Sequence, residues 1–67
     1  MTDSLETYVL RMVWRDHAKG PGVATFEYAD ASHDHRDMSP YEARTLADGL
    51  GLVPQQQRPD FQEWVRN

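Results

Sequence analysis

The run Ser39-Pro40-Tyr41-Glu42-Ala43-Arg44-Thr45-Leu46-Ala47-Asp48-Gly49-Leu50-Gly51 constrains this chain more than any other. Ser39, followed three residues later by Glu42, is a capping box: each side chain satisfies a backbone N–H that a helix start leaves free. Pro40 falls at the first helical position, where its missing N–H costs nothing. Ala43, Leu46, Ala47 and Leu50 lie at i, i+3, i+4 and i+7 and make one apolar stripe. Gly51 suits the left-handed cap that ends many helices. The spacing predicts a helix over residues 39–51, and its stripe needs an apolar surface to lie on.

That surface is expected from the N-terminal half. Residues 5–15 suit a strand, with Tyr8, Val9, Val13 and Trp14 β-branched or aromatic. Residues 16–22 are rich in turn formers, with Gly20-Pro21-Gly22 read as turn punctuation, and residues 23–29 read as a second strand. A hairpin over residues 5–29 follows. If residues whose numbers sum to 38 face one another, Trp14 meets Ala24, Met12 meets Phe26 and Leu10 meets Tyr28 on one surface. Arg11 meets Glu27 and Val13 meets Thr25 on the other. Opposite charges paired across strands favour this register, and a slip of one residue would turn every side chain to the wrong face.

The remaining segments are shorter. Residues 1–4 read as a loose tail, and the polar residues 30–38 as a link or a short third strand. Leu52 and Val53 are expected to pack back on the helix end, with residues 54–58 a solvated connector. Phe61, Trp64 and Val65 stand at helical spacing behind Pro59, which predicts a short helix over residues 59–66. The expected fold class is α+β, one domain over residues 1–67. It would hold a two- or three-stranded antiparallel sheet, one capped helix on its apolar face, and a short C-terminal helix.

Size makes such a domain marginal. With 67 residues and no cysteine, it would bury only about 60% of its unfolded surface, with no disulfide or thiolate metal site to add stability. Eleven acidic residues against seven basic ones give a net charge of -4, and the basic residues are never adjacent. A nucleic-acid binder concentrates positive charge on one face, so a nucleic-acid partner is not expected. No apolar run reaches the length of a membrane span, and the acidic start is unlike a secretory signal. A cytoplasmic protein is expected.

The only concentration of potential metal ligands is His33-Asp34-His35, flanked by Asp30 and Asp37. If extended, it would project His33 and His35 to one side. Two imidazoles fall short of the four ligands of a structural zinc site, so the metal expectation is none, with His33 and His35 the candidate ligands should one bind. No cofactor is expected. The chain has no cysteine nucleophile, no Gly-x-Ser-x-Gly elbow and no glycine-rich phosphate loop, so the expectation is not an enzyme.

Two resemblances bear on function. Residues 42–52 followed by residues 61–66 are similar to the helix-turn-helix of excisionase and MerR-like domains, with an alanine-bearing helix, a Leu-Gly turn and a Trp-ended helix. This would imply DNA binding through the helix pair, with Arg44 and Arg66 as contacts. The match departs from the pattern in its long gap, in Pro54 and Pro59, and in Asp60 and Glu63, which would face phosphate. The second resemblance, in two strands, a polar link and a Ser/Thr-Pro-x-Glu-Ala-Arg-x-Leu-Ala helix, is to small proteins common in actinobacteria and their phages. Ser39, Pro40, Glu42, Ala43, Arg44, Leu46 and Ala47 carry it. It implies a fold and no activity, and it departs where Gly49, Gly51 and Pro54 replace a longer Ala-rich helix.

The aromatic residues decide the main expectation. Two alanines in the helix stripe cannot cover Leu10, Met12, Trp14, Phe26 and Tyr28, so apolar surface is left over. Trp64, Phe61, Trp14 and Tyr41 are the candidate partner-binding residues, because aromatics dominate interface energetics. The expected function is a non-enzymatic protein-interaction module, a small bacterial or phage regulatory protein that binds a protein partner or itself. A homodimer is expected through the open edge of the first strand, or through Phe61 and Trp64. The alternative is a DNA-binding regulator.

Overall fold

The computed structural model describes residues 8–66. In chain order they form β1 (Val9–His17), β2 (Gly20–Tyr28), β3 (His33–Asp37), α1 (Pro40–Gly49), β4 (Leu52–Gln57) and β5 (Phe61–Arg66). The strands make one antiparallel sheet in the order β3-β2-β1-β5-β4, with β1 in the middle. The loose tail expected at residues 1–4, and residues 5–7 of the expected first strand, lie outside the described residues.

The β1–β2 pairing follows the charge and hydrophobic pattern: Arg11 opposite Glu27, Met12 opposite Phe26, Val13 opposite Thr25, Trp14 opposite Ala24. It departs at the end, where the register shifts and Val9, not Leu10, faces Tyr28. An extra residue on one strand kinks it and redirects its neighbours; Val9 turns into the core and Leu10 is left 42% exposed. The turn is also tighter than expected, only Ala18 and Lys19 separating the strands.

Gly20-Pro21-Gly22 therefore opens β2 and does not punctuate a turn. Gly22 has φ 121°, and a Cβ built on it would fall 2.4 Å from Trp14 Nε1. The indole lies where a side chain at residue 22 would be. Its N–H donates to the Met38 carbonyl at 2.8 Å, and the Met38 N–H donates to the Gly22 carbonyl at 3.0 Å. Trp14, Gly22 and Met38 thus lock together just before the helix cap.

The link at residues 30–38 contains a five-residue strand. Ala31, at φ 72°, makes the turn into it, and the Asp30 carboxylate accepts from Ser32 N at 3.0 Å and from Ser32 Oγ. These hydrogen bonds to the charged form hold the Asp30 carboxyl below the usual aspartate range.

The helix forms as its sequence dictates. Ser39 Oγ accepts from Glu42 N at 3.1 Å, and Glu42 Oε1 accepts from Ser39 N at 2.9 Å. Gly51, at φ 77°, follows the C-cap residue Leu50. Ala43 and Ala47 are fully buried in a core with Met12, Trp14, Phe26, Leu52 and Trp64. Small side chains there let the helix backbone approach the two tryptophans.

After Gly51 the structure overturns the two-helix α+β expectation. Residues 54–58, read as a connector, and 59–66, read as a helix, fall instead in a second hairpin of β4 and β5, which also takes in Leu52 and Val53. Pro59 and Asp60 are the centre of its turn, across which Arg58 and Phe61 exchange backbone hydrogen bonds at 2.9 and 3.3 Å; proline suits such a turn as well as it suits a helix start. An eight-residue helix would gain little hydrogen bonding for its nucleation cost. As a strand, β5 pairs from Arg15–Phe61 to Arg11–Val65 along the open edge of β1. That edge, expected to pair with a second copy, is filled by the chain itself.

Alternation along β5 sends Trp64 under the helix and Phe61, Glu63 and Val65 to the other face, which no element of the described chain covers. There Arg11 reaches both neighbouring strands, its Nε pairing with Glu63 and its Nη1 with Glu27. Gln62, on the helix side opposite Trp14, is buried. Its Nε2 donates to the Arg58 carbonyl at 3.3 Å, and its Oε1 has no hydrogen-bond partner among the described residues.

Two stability changes follow, both read by urea unfolding. Gly22→Ala should destabilise by about 1–3 kcal/mol, the cost of overpacking a fitted core, and an unchanged midpoint would mean the Trp14 contact is not tight. Gln62→Met should stabilise by about 1 kcal/mol, because it removes an unpaired buried acceptor and loses only a long hydrogen bond.

Candidate interaction surface

Four strand spacings make the sheet about 19 Å wide between its outer strands, whereas one helix with its side chains covers about 10–12 Å. One helix cannot roof five strands, so a groove opens on each flank of α1. Between α1 and β4–β5 the lining is Arg44, Thr45, Asp48, Leu52, Pro54 and Trp64, around a volume of about 410 Å³. Between α1 and β2–β3 it is Val9, Phe26, Tyr28, Ser32, Arg36, Leu46 and Leu50, around about 390 Å³. The grooves are nearly equal in size and differ in chemistry. The first carries both signs of charge from one turn of helix. The second is apolar apart from the Tyr28 and Ser32 hydroxyls and the Arg36 guanidinium.

The apolar groove arises from how the helix stripe divides. At 100° per residue, Ala43 and Ala47 point down onto the sheet while Leu46 and Leu50 sit to one flank. The alanines are fully buried; the leucines are half-buried and form the groove's helix wall. Phe26 and Tyr28, two residues apart on β2, face the same side and make its floor. Arg36 and Asp34, opposite Ala24 and Phe26, place one charge of each sign on β3. Burial is the main cause that pushes the Tyr28 phenol up from its ordinary pKa; Asp34 adds to the shift and Arg36 opposes it. A phenol raised in this way supports the fold below its unfolded pKa, and that support is lost as pH rises through the folded one.

The sequence-based candidates are scattered. Trp14 and Trp64 are each 2% exposed, so they serve the core, although the edge of Trp64 reaches the mixed-charge groove. Phe61 lies on the opposite sheet face from Trp64, with the Arg15 guanidinium 5.7 Å from its ring centre, and the two cannot form one hot spot. Tyr41 is 75% exposed on α1. Arg44 lines the mixed-charge groove, and Arg66 is already engaged: its Nε donates to the Val9 carbonyl at 2.9 Å and its guanidinium lies 4.1 Å from the Tyr8 ring centre. The helix pair on which the DNA-binding alternative depended is absent among the described residues, because its second member is β5.

His33 and His35 lie on the uncovered sheet face, where His35 Nδ1 is 3.1 Å from Thr25 Oγ1. Among the described residues no three His, Cys, Asp or Glu side chains are grouped to hold a metal, and no helix is long and apolar enough to cross a membrane.

Val9, Tyr28, Ser32, Arg36, Leu46 and Leu50 were not singled out as site residues from sequence. The surplus of large apolar side chains over a helix stripe half made of alanine was the signal for them. Of the side chains in that surplus, Met12, Trp14 and Phe26 are buried, Tyr28 is half-buried and Leu10 is exposed. No family model matches this chain, and no curated protein or solved structure matches it either.

The electrostatics of the groove can be checked by NMR titration. Arg36→Gln should raise the Tyr28 pKa further, and Asp34→Asn should bring it back toward the ordinary tyrosine value. Identical titrations in both variants would mean that neither β3 side chain faces the phenol.

Proposed function

We propose that this chain is a non-enzymatic protein-interaction module, a small regulatory protein that acts by docking a partner into the apolar groove between α1 and β2–β3. One observation carries the reading. Leu46, Leu50 and Tyr28, each half-buried, rim a groove whose base is the buried Val9 and Phe26, and no described element covers it. Clustered apolar surface of this kind marks binding sites more often than scattered exposed hydrophobics do. The lining offers two hydroxyls, of Tyr28 and Ser32, and one guanidinium, a set suited to orienting a bound segment.

The two strand edges left unpaired among the described residues support the groove as the docking place. β3 reads His-Asp-His-Arg-Asp, short and polar throughout, while β4 carries Pro54 and a register shift between Pro54 and Gln56. Charge, proline and bulges are the devices that discourage edge pairing.

A photo-crosslinking residue placed at Leu46 should capture discrete protein adducts in cells that make this protein. The same residue at Thr25, on the opposite sheet face, should not. Equal capture from both positions would set the groove aside as the docking surface.

A further inference from the structure

We infer that β3 recognises itself: its outer edge pairs antiparallel with the β3 edge of a second copy of this chain, about a two-fold axis at His35. The inference goes beyond the groove reading and stands apart from it, because the contact is made along the sheet edge.

The backbone sets the register. The Ser32 carbonyl accepts from Tyr28 N–H and the Met38 N–H donates to the Gly22 carbonyl, each at 3.0 Å. At both ends of β3 the even-numbered residues therefore turn their backbone groups toward β2, and the ladder between runs without a register shift. Alternation turns the N–H and C=O groups of His33, His35 and Asp37 outward. The His35 N–H, one of these, is capped by the Asp34 carboxylate at 3.0 Å. A second β3 would bond through its own outward groups, so odd residues must face odd residues. Among such registers, the one in which residue numbers sum to 70 overlaps the whole of His33–Asp37.

In that register the strand is complementary to itself. Asp34 faces Arg36 of the second copy, and Arg36 faces its Asp34. These are the rows without hydrogen bonds across the pair, where side chains stand closest. His33 faces Asp37, an imidazole N–H against a carboxylate, and only His35 meets its own kind. A slip of two residues one way would set Asp34 against Asp34, and the other way Arg36 against Arg36. Charge thus fixes the register that the backbone allows. Among the described residues Arg36 makes no ion pair, the pairs present being those of Arg11.

The same charges turn other strands away. β3 has neither proline nor register shift, unlike β4 with Pro54 and its irregular pairing. Charge is the device that guards this edge, and a strand of arbitrary sequence leaves Asp34 and Arg36 unpaired or opposed. A second β3 answers both. On pairing, the His35 N–H passes from Asp34 to the His35 carbonyl of the second copy, which frees the carboxylate for Arg36. The symmetric contact uses up both edges and closes at two chains. It is short, which makes the association weak and reversible.

Sedimentation equilibrium of the full chain tests this, with circular dichroism confirming the fold of each variant. The unaltered chain should show a reversible monomer–dimer equilibrium at hundreds of micromolar. Asp34→Arg and Arg36→Asp each set like charges across the pair and should each weaken the dimer roughly tenfold. Mixed in equal amounts, these two variants should associate as the unaltered chain does, since each then meets opposite charge in both rows. The double variant Asp34→Arg/Arg36→Asp should also dimerise, because it is again complementary to itself. Leu46→Glu, in the groove, should leave the dimer unchanged.

A monomer throughout that range would overturn the inference. So would a dimer that the single variants leave intact, or a mixture no tighter than its separate components. A dimer lost in Leu46→Glu would place the contact at the groove and overturn the pairing of edges.

Discussion

The indole of Trp14 holds this fold in register. On one side it occupies the space above Gly22, and its N–H is tied to the Met38 carbonyl. Three segments distant in sequence, the middle of β1, the start of β2 and the residue before the helix cap, are thereby brought to one point. A buried tryptophan must find an acceptor for its N–H, and this one finds it in the backbone that leads into α1. The helix then starts at a set place on the sheet, with its alanines over the tryptophans and its leucines to one flank. The groove's position follows from that start.

The parts of the fold legible in the sequence were those specified by local or nearest-neighbour chemistry. The capping box, Pro40 and Gly51 delimit α1 without reference to anything else in the chain. The Arg11–Glu27 pairing and the alternation of Met12 and Trp14 against Phe26 and Ala24 set the hairpin register over its central rows. Legibility ended where a local pattern supports two structures. Phe61, Trp64 and Val65 fit a helix at i, i+3 and i+4, and they fit a strand equally well if both faces are in use. The choice was made by the vacant edge of β1, more than forty positions away, which no window of sequence contains.

The candidate site was illegible for a related reason. Aromatic residues were the natural suspects, but Trp14 and Trp64 are consumed by the core, and Phe61 and Trp64 part to opposite faces once their segment is a strand. What stays only half-buried around the apolar groove lies at the margins of elements: Leu46 and Leu50 on the flank of α1, and Tyr28 at the end of β2. Margins are set by how wide the sheet becomes. The sheet is wider by two strands, β4 and β5, than the pattern of residues 52–66 indicated, so both the roofed and the open areas moved.

The place of β1 in the sheet also bears on how the chain comes together. β1 is the first of the five strands in sequence and the central one in space, and its two neighbours are β2, joined to it by a two-residue turn, and β5, the last. One side of β1 can be satisfied within about microseconds of β2 becoming available, since hairpins close on that timescale. The other side waits for a strand whose contacts span separations such as the 52 residues between Arg11 and Glu63. Such long-range pairings slow folding, because loop closure must come before any contact rewards it. On the ribosome the central strand therefore carries a bare edge until β5 has emerged, and the charged side chains of Arg11 and Arg15 stand along that strand, charge being one of the devices that discourage edge pairing.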